Sequence, residues 1–123
     1  MLNAMRRPLI LAIVDPGLRS ILAAYLTMAG ETPISTADHL DPTLDATLRD
    51  RAILVIEEPL IASAPRDWTE TLRDQCWTGF VIIIAHTLHE PVPENDGVAL
   101  VDRHSAPAAI PPIIQRWRSQ PAL

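Results

Sequence analysis

The chain is 123 residues long, 48% hydrophobic and 20% charged, with a formal net charge of −5. That is one domain's length at ordinary globular composition, which argues against disorder and against binding to a phosphate backbone, since the latter needs a concentrated basic face. All ten basic residues are arginine, so chemistry that requires a lysine ammonium is excluded, and the single cysteine, Cys76, excludes an internal disulfide and a four-cysteine zinc site.

Pro8-Leu9-Ile10-Leu11-Ala12-Ile13-Val14 is a continuous apolar run, the pattern of a strand buried on both faces. It is too short to span a membrane, which takes about 20 residues. Although Arg6 and Arg7 precede it, it ends at Asp15-Pro16 without a small-residue cleavage pattern, so a cytoplasmic chain is expected rather than a secreted one. Asp15 and Pro16 suit the start of a helix over Leu18 to Met28, with Gly30 as its stop. Pro33 to Thr36 is a short, weak strand. Asp41-Pro42 is expected to open a second helix that carries Leu44 and Leu48. Ala52 to Ile56 reads as a buried strand, stopped by Glu57-Glu58-Pro59.

A third helix is expected from about Pro65 to Trp77, with Trp68, Leu72 and Cys76 on one stripe and Cys76 a small buried hydrophobe. Phe80 to Ala85 is the most strand-like segment, rich in β-branched residues. Then the rhythm breaks. His86 to Gly97 contains Pro91, Pro93 and the turn signal Asn95-Asp96-Gly97, which no helix of normal length accommodates. Val98 to Val101 reads as a last strand and Ser105 to Arg118 as a closing helix. Pro111-Pro112 predicts that its regular part begins only there. Buried strands alternating with helices predict an α/β chain, residues 1–123 forming one domain. Its expected form is a flavodoxin-like, doubly wound, five-stranded parallel sheet. The fourth helix is expected to be missing or reduced to a loop over residues 86–97. Functional groups in such sheets gather at the carboxyl ends of the strands, which here carry Asp15, Glu57, Glu58, Ala85, His86, Asp102, Arg103 and His104.

The order and spacing of these segments resemble the receiver domain of two-component response regulators across almost the whole chain. Leu9 to Val14 followed by Asp15-Pro16-Gly17-Leu18-Arg19 is similar to the first receiver strand and its Pro-x-x-Arg helix start. Ala52 to Glu57 is similar to the third strand, Phe80 to Ala85 to the fourth, and Gly97 to Arg103 to the Gly-Ala-x-x-Tyr-x-x-Lys segment of the fifth. The resemblance implies a signalling domain whose partner is a histidine kinase, another signalling protein or a second copy of itself.

The departures from the family pattern carry the functional reading. The resemblance puts Ile13 and Val14 where active receivers place two magnesium-holding acids, leaving only Asp15 nearby. The phosphoacceptor position falls on Glu57, with Glu58 beside it. The switch hydroxyl becomes Ala85 and the lysine becomes Arg103 or His104. An atypical or pseudo-receiver is therefore expected, one that is not an enzyme, uses no cofactor or metal, and acts by protein–protein contact. Glu57 is expected to be a fixed negative charge, a partner of Arg103, or a solvated strand-end carboxylate. Two alternatives remain: a phosphoacceptor with a rearranged site using Glu57, Glu58, Asp15 and Arg103, and a small flavin- or nucleotide-binding domain. The latter is disfavoured because Asp15-Pro16-Gly17 is no phosphate-cradling loop.

The absent fourth helix predicts bare apolar surface beside Ile82, Ile84, Leu100 and Ile113, with Trp117 either an interface anchor or an intramolecular packing group. A homodimer through this surface is one expected outcome; nucleic-acid and membrane partners are not expected. His86, His89, Glu90 and His104 have metal-ligand chemistry but no specific spacing, and surface histidines are the plainer reading.

Overall fold

The computed structural model describes residues 6–86, 88 and 93–120. Five strands form one all-parallel sheet: β1 (Leu9–Ala12), β2 (Ser35–Ala37), β3 (Ile53–Glu57), β4 (Phe80–Ala85) and β5 (Val98–Asp102). They lie in the order β2-β1-β3-β4-β5, with Leu9 opposite Ile53, Ile53 opposite Phe80 and Val81 opposite Val98. Among the described residues four α-helices accompany the strands: α1 (Pro16–Met28), α2 (Ala46–Arg51), α3 (Trp68–Asp74) and α4 (Ala106–Ser119). The architecture is α/β, and the strand order is compatible with a flavodoxin-like fold.

Because side chains alternate across a strand, each central strand feeds two cores. Leu9, Leu11, Ile53, Val55, Ile82 and Ile84 pack under α1, through Leu18, Leu22 and Leu26, and under α4, through Ala106, Ile110, Ile114 and Trp117. Ile10, Ala12, Leu54, Ile56, Val81 and Ile83 pack on the other face against Trp68 and Leu72 of α3 and against Trp77, with Leu44 and Leu48 partly buried there. Two buried faces explain why the strands read as unbroken apolar runs.

Local chemistry sets the helix bounds. The Asp15 side chain accepts from Gly17 N at 2.9 Å and Leu18 N at 3.3 Å, which caps α1. At its far end, Gly30 adopts φ +83° and Glu31 N donates back to Leu26 O at 2.9 Å, closing a Schellman turn. The second helix departs from expectation. Asp41 accepts from Thr43 N at 2.9 Å and Thr43 Oγ1 at 2.6 Å in a self-contained turn, so α2 starts at Ala46 with Asp45 as its cap.

The third helix also stops short, at Asp74 rather than Trp77. Cys76 takes a left-handed φ of 71°, while Cys76 N reaches Arg73 O at 3.0 Å and Trp77 N reaches Leu72 O at 3.0 Å. This is again a Schellman closure, with a cysteine where glycine is usual. It turns Cys76 out to solvent and drives Trp77 into the core, so the expected stripe through Cys76 is corrected to Trp68, Leu72 and Trp77. Gly79 follows where two backbones nearly touch: a Cβ there would lie 2.4 Å from Ala52 O.

The closing helix runs unbroken from Ala106 with Pro111 and Pro112 inside it, not only from those prolines onward. Each proline deletes one intrahelical donor, at a typical cost of about 3 kcal/mol. Burial of Ala106, Ile110, Ile114 and Trp117 on one stripe opposes that cost, each buried large side chain contributing about 1.5–3 kcal/mol.

Among the described residues no helix lies between β4 and β5. Asn95 and Val98 exchange backbone hydrogen bonds around Asp96 (φ 53°) and Gly97 (φ 76°), the two-residue turn that Asp-Gly favours. The expected bare surface is corrected. Ile82 and Ile84 are buried on the face covered by α4, because alternation along β4 turns Val81, Ile83 and Ala85, not them, toward the missing helix. Ile113 is partly buried against the same α1/α4 core, and Leu100 is partly buried on the opposite face. Trp117 packs within the chain: its ring stacks on Phe80 at 4.7 Å between centroids, and Nε1 donates to Glu94 at 3.0 Å. Among the described residues no helix is long and apolar enough to cross a membrane.

Candidate functional site

The carboxyl ends of β1, β3, β4 and β5 bring together Asp15, Glu57, Glu58, His86 and Arg103. Glu57 is the last residue of β3, a central strand, and is 1% exposed. A buried carboxylate is tolerated only when hydrogen-bonded or paired. Here Glu57 Oε1 accepts from Val14 N at 2.9 Å and Asp15 N at 3.1 Å, the two amides that lead from β1 toward α1. Its Oε2 lies 2.5 Å from His86 Nε2, which the carboxylate engages as a donor. The neighbouring carboxylate belongs to the same arrangement. Glu58 Oε1 accepts from His86 N at 3.0 Å and stands 3.8 Å from His86 Nδ1. His86, the residue just beyond β4, is thus held by both glutamates.

Arg103 and Asp15 form the second pair. The guanidinium Nη2 donates to Asp15 Oδ2, while Oδ1 of the same aspartate caps α1. Arg103 is placed by its own backbone, since Arg103 N donates to Ala85 O at 3.0 Å across β5 and β4. Ala85 is buried and offers a methyl group only. Arg19 turns back to the Ile13 carbonyl at 2.8 Å, which fixes α1 against the end of β1.

Of the three expected readings of Glu57, a partner of Arg103 and a solvated carboxylate are both corrected. Arg103 pairs with Asp15, and Glu57 is buried. The role of His86 was not read from the sequence. Only the register brings it there: Glu57 lies opposite Ile84, so His86, the second residue after Ile84, emerges over the end of β3. Ile13 is fully buried and Val14 offers no donor atom on its side chain, so the positions where the family resemblance places magnesium ligands supply none. Two of the three carboxylates are already matched to Arg103 and His86. Among the described residues no group of three or more His, Cys, Asp or Glu side chains is arranged to hold a metal ion. His104 is exposed, its amide bound to Asp102 Oδ2 at 2.9 Å, and does not join His86. His89 and Glu90 lie outside the described residues.

At the opposite end of the sheet, Glu31 is buried between Arg6 (3.0 Å) and Arg118 (3.0 Å). These side chains line a cleft of about 510 Å³ together with Arg7, Pro8 and Leu48. Arg118 also donates to Arg7 O at 2.9 Å, so the cluster ties β1 to the end of α4. Compared with protein-family models, with curated proteins and with solved structures, the chain matches none.

Proposed function

We propose that this chain is a flavodoxin-like, atypical receiver-type signalling domain that has given up phosphotransfer and acts by protein–protein contact. Its partner would be a histidine kinase, another signalling protein or a second copy of itself. One observation carries the reading. The carboxylate at the acceptor position, Glu57, is buried and already holds two backbone amides and the His86 ring. Phosphoryl transfer to a carboxylate needs an exposed oxygen in line with the donor and a metal ion to balance the developing charge. Glu57 offers no exposed oxygen, and Asp15, the acid just beyond β1, is bound to Arg103.

The test is incubation with a small phosphodonor and magnesium, followed by intact mass measurement with and without acid quench. The expected result is an unmodified mass. A stoichiometric phosphoryl adduct mapped to Glu57 or Glu58 overturns the reading in favour of a rearranged acceptor.

A further inference from the structure

The end of the sheet away from Glu57 gathers positive charge that the fold does not use up. Arg6 and Arg118 bond the same oxygen, Glu31 Oε2, each at 3.0 Å, and Arg118 also holds Oε1 at 3.0 Å. One buried carboxylate is thus shared by two guanidiniums. The Nη1 of Arg118 goes to a neutral acceptor, Arg7 O, at 2.9 Å. Arg7 itself meets neutral groups. Its Nη1 donates to Arg51 O at 3.0 Å and Asp50 O at 3.5 Å, and its guanidinium carbon lies 4.8 Å from the centroid of the Phe80 ring. Asp50 turns its carboxylate elsewhere, accepting from Thr78 Oγ1 at 2.5 Å. Among the described residues no carboxylate pairs with Arg7.

Three guanidiniums therefore stand against one carboxylate, an excess of two positive charges. Arginine does not give up its proton, so titration cannot relieve that excess. A shortage of acids does not explain it either, since the whole chain carries −5. Nor is it local in the sequence: Arg7 and Arg118 are 111 positions apart and meet only through the fold. The three arginines line the cleft of about 510 Å³, a volume within the range of small-molecule sites, about 300–1,000 Å³. Its lining also includes Pro8, Ile34 and Leu48, and Ile34 is among the large apolar side chains left open to solvent.

The geometry points to a binding site in this cleft for a small phosphomonoester with an apolar or ring-bearing body. Such a group carries about −1.5 to −2 charge near neutral pH, which matches the excess of two. Its terminal oxygens sit on one phosphorus atom. That compact shape suits guanidiniums that already converge on a single carboxylate oxygen, and the planar arginine fork holds phosphate oxygens in pairs. A dicarboxylate of the same charge spreads it over two ends and matches the convergence less well. The body of the ligand lies on Pro8, Ile34 and Leu48, which gives the exposed isoleucine a partner. Glu31 positions Arg6 and Arg118 and competes with the ligand for them.

Calorimetric titration of the full chain with phenyl phosphate, inorganic phosphate and succinate, at neutral pH and with ionic strength held constant by sodium chloride, tests this. Phenyl phosphate binds at one site with a dissociation constant of about 1 mM or tighter, and several-fold more tightly than either of the other two. Its affinity falls as the pH drops below about 6, where the monoester loses its second charge. Arg7→Gln keeps an amide donor for the two carbonyls but removes the charge, and weakens binding about tenfold. Glu31→Gln removes the competing negative charge and tightens binding several-fold, a direction that misfolding cannot produce. Absence of saturation, succinate bound as tightly as phenyl phosphate, or an affinity indifferent to Arg7→Gln each overturns the inference. None of these results bears on the phosphodonor experiment, whose site lies at the other end of the sheet, so the two claims fail separately.

Discussion

Replacing Glu57 with alanine removes the acceptor for two backbone amides and the partner of the His86 ring at once. The hydrogen bonds to Val14 N and Asp15 N are charge-assisted but only part-buried, so each is worth about 1 kcal/mol net rather than the upper value for such bonds. Loss of the His86 contact and of side-chain packing at a 1% exposed position adds about 1–2 kcal/mol. The expected total is about 3–4 kcal/mol, a large share of the roughly 5–15 kcal/mol that holds a domain together. For a chain of this size that lowers the thermal midpoint by roughly 10–15 °C. Glutamine keeps a carbonyl oxygen for the two amides but loses the charge and puts a donor NH2 where Oε2 accepted from His86, so Glu57→Gln is expected to cost about 1–2 kcal/mol. Calorimetry on the two variants and the parent at neutral pH gives both numbers. The sign for glutamine separates two kinds of site. Carboxylates gathered to grip a cation repel one another when no cation is bound, and neutralising one of them then raises stability. A Glu57→Gln variant more stable than the parent, or an alanine variant within about 0.5 kcal/mol of it, refutes the assignment of Glu57 as an internally satisfied carboxylate.

Cys76 sits exposed at φ 71°, a conformation that costs a non-glycine residue roughly 1 kcal/mol or more. Cys76→Gly is therefore expected to raise stability by about 1 kcal/mol, and the native thiol is expected to react with an aqueous thiol reagent as completely as in denaturant. The hydroxyl and amide of Thr43 hold Asp41 below the ordinary carboxylate range, and the hydrogen bond from His39 does the same for Asp38. A depressed folded-state value means stability that is present above the unfolded value and lost as pH falls through the folded one. The melting midpoint is accordingly expected to drop below about pH 4, and Asp41→Ala, measured across the same pH series, is expected to flatten part of that fall.

The strands were legible because their physics is local: Ile53 to Ile56 and Phe80 to Ala85 are buried on both faces, and unbroken apolar runs record that directly. The cap of α1 was legible for the same reason, since Asp15 and Pro16 act on their immediate neighbours. Helix ends that depend on competition were not. Asp41-Pro42 looks like a helix start until Thr43 takes the aspartate's oxygen, and Cys76 looks like a core residue until the chain closes on Leu72 and Arg73. Pro111 and Pro112 forbid a helix by local rules, and only the packing of Ile110, Ile114 and Trp117 shows why the helix persists. At the site, the sequence marks the acids but not their partners. The pairing of Asp15 with Arg103 spans 88 positions, and whether Arg103 reaches Asp15 or Glu57 is decided by strand order and side-chain direction, which no spacing rule encodes.

Carboxylates crowded at the ends of parallel strands must be satisfied by something, and the two sources are an ion from solution or hydrogen-bond donors from the chain itself. This molecule takes the second course: Arg103 arrives from beyond β5, His86 from beyond β4, and two amides from the β1–α1 connection complete the set. A carboxylate has about four lone-pair positions. Glu57 uses three of them on its own backbone and side chains while staying sealed from solvent. A ligand arriving at the strand ends would have to displace one of those bonds before it gained any of its own, and in a buried setting that exchange is unfavourable unless the newcomer is also charged and well placed. The cluster thus ties the ends of β1, β3 and β4 to one another.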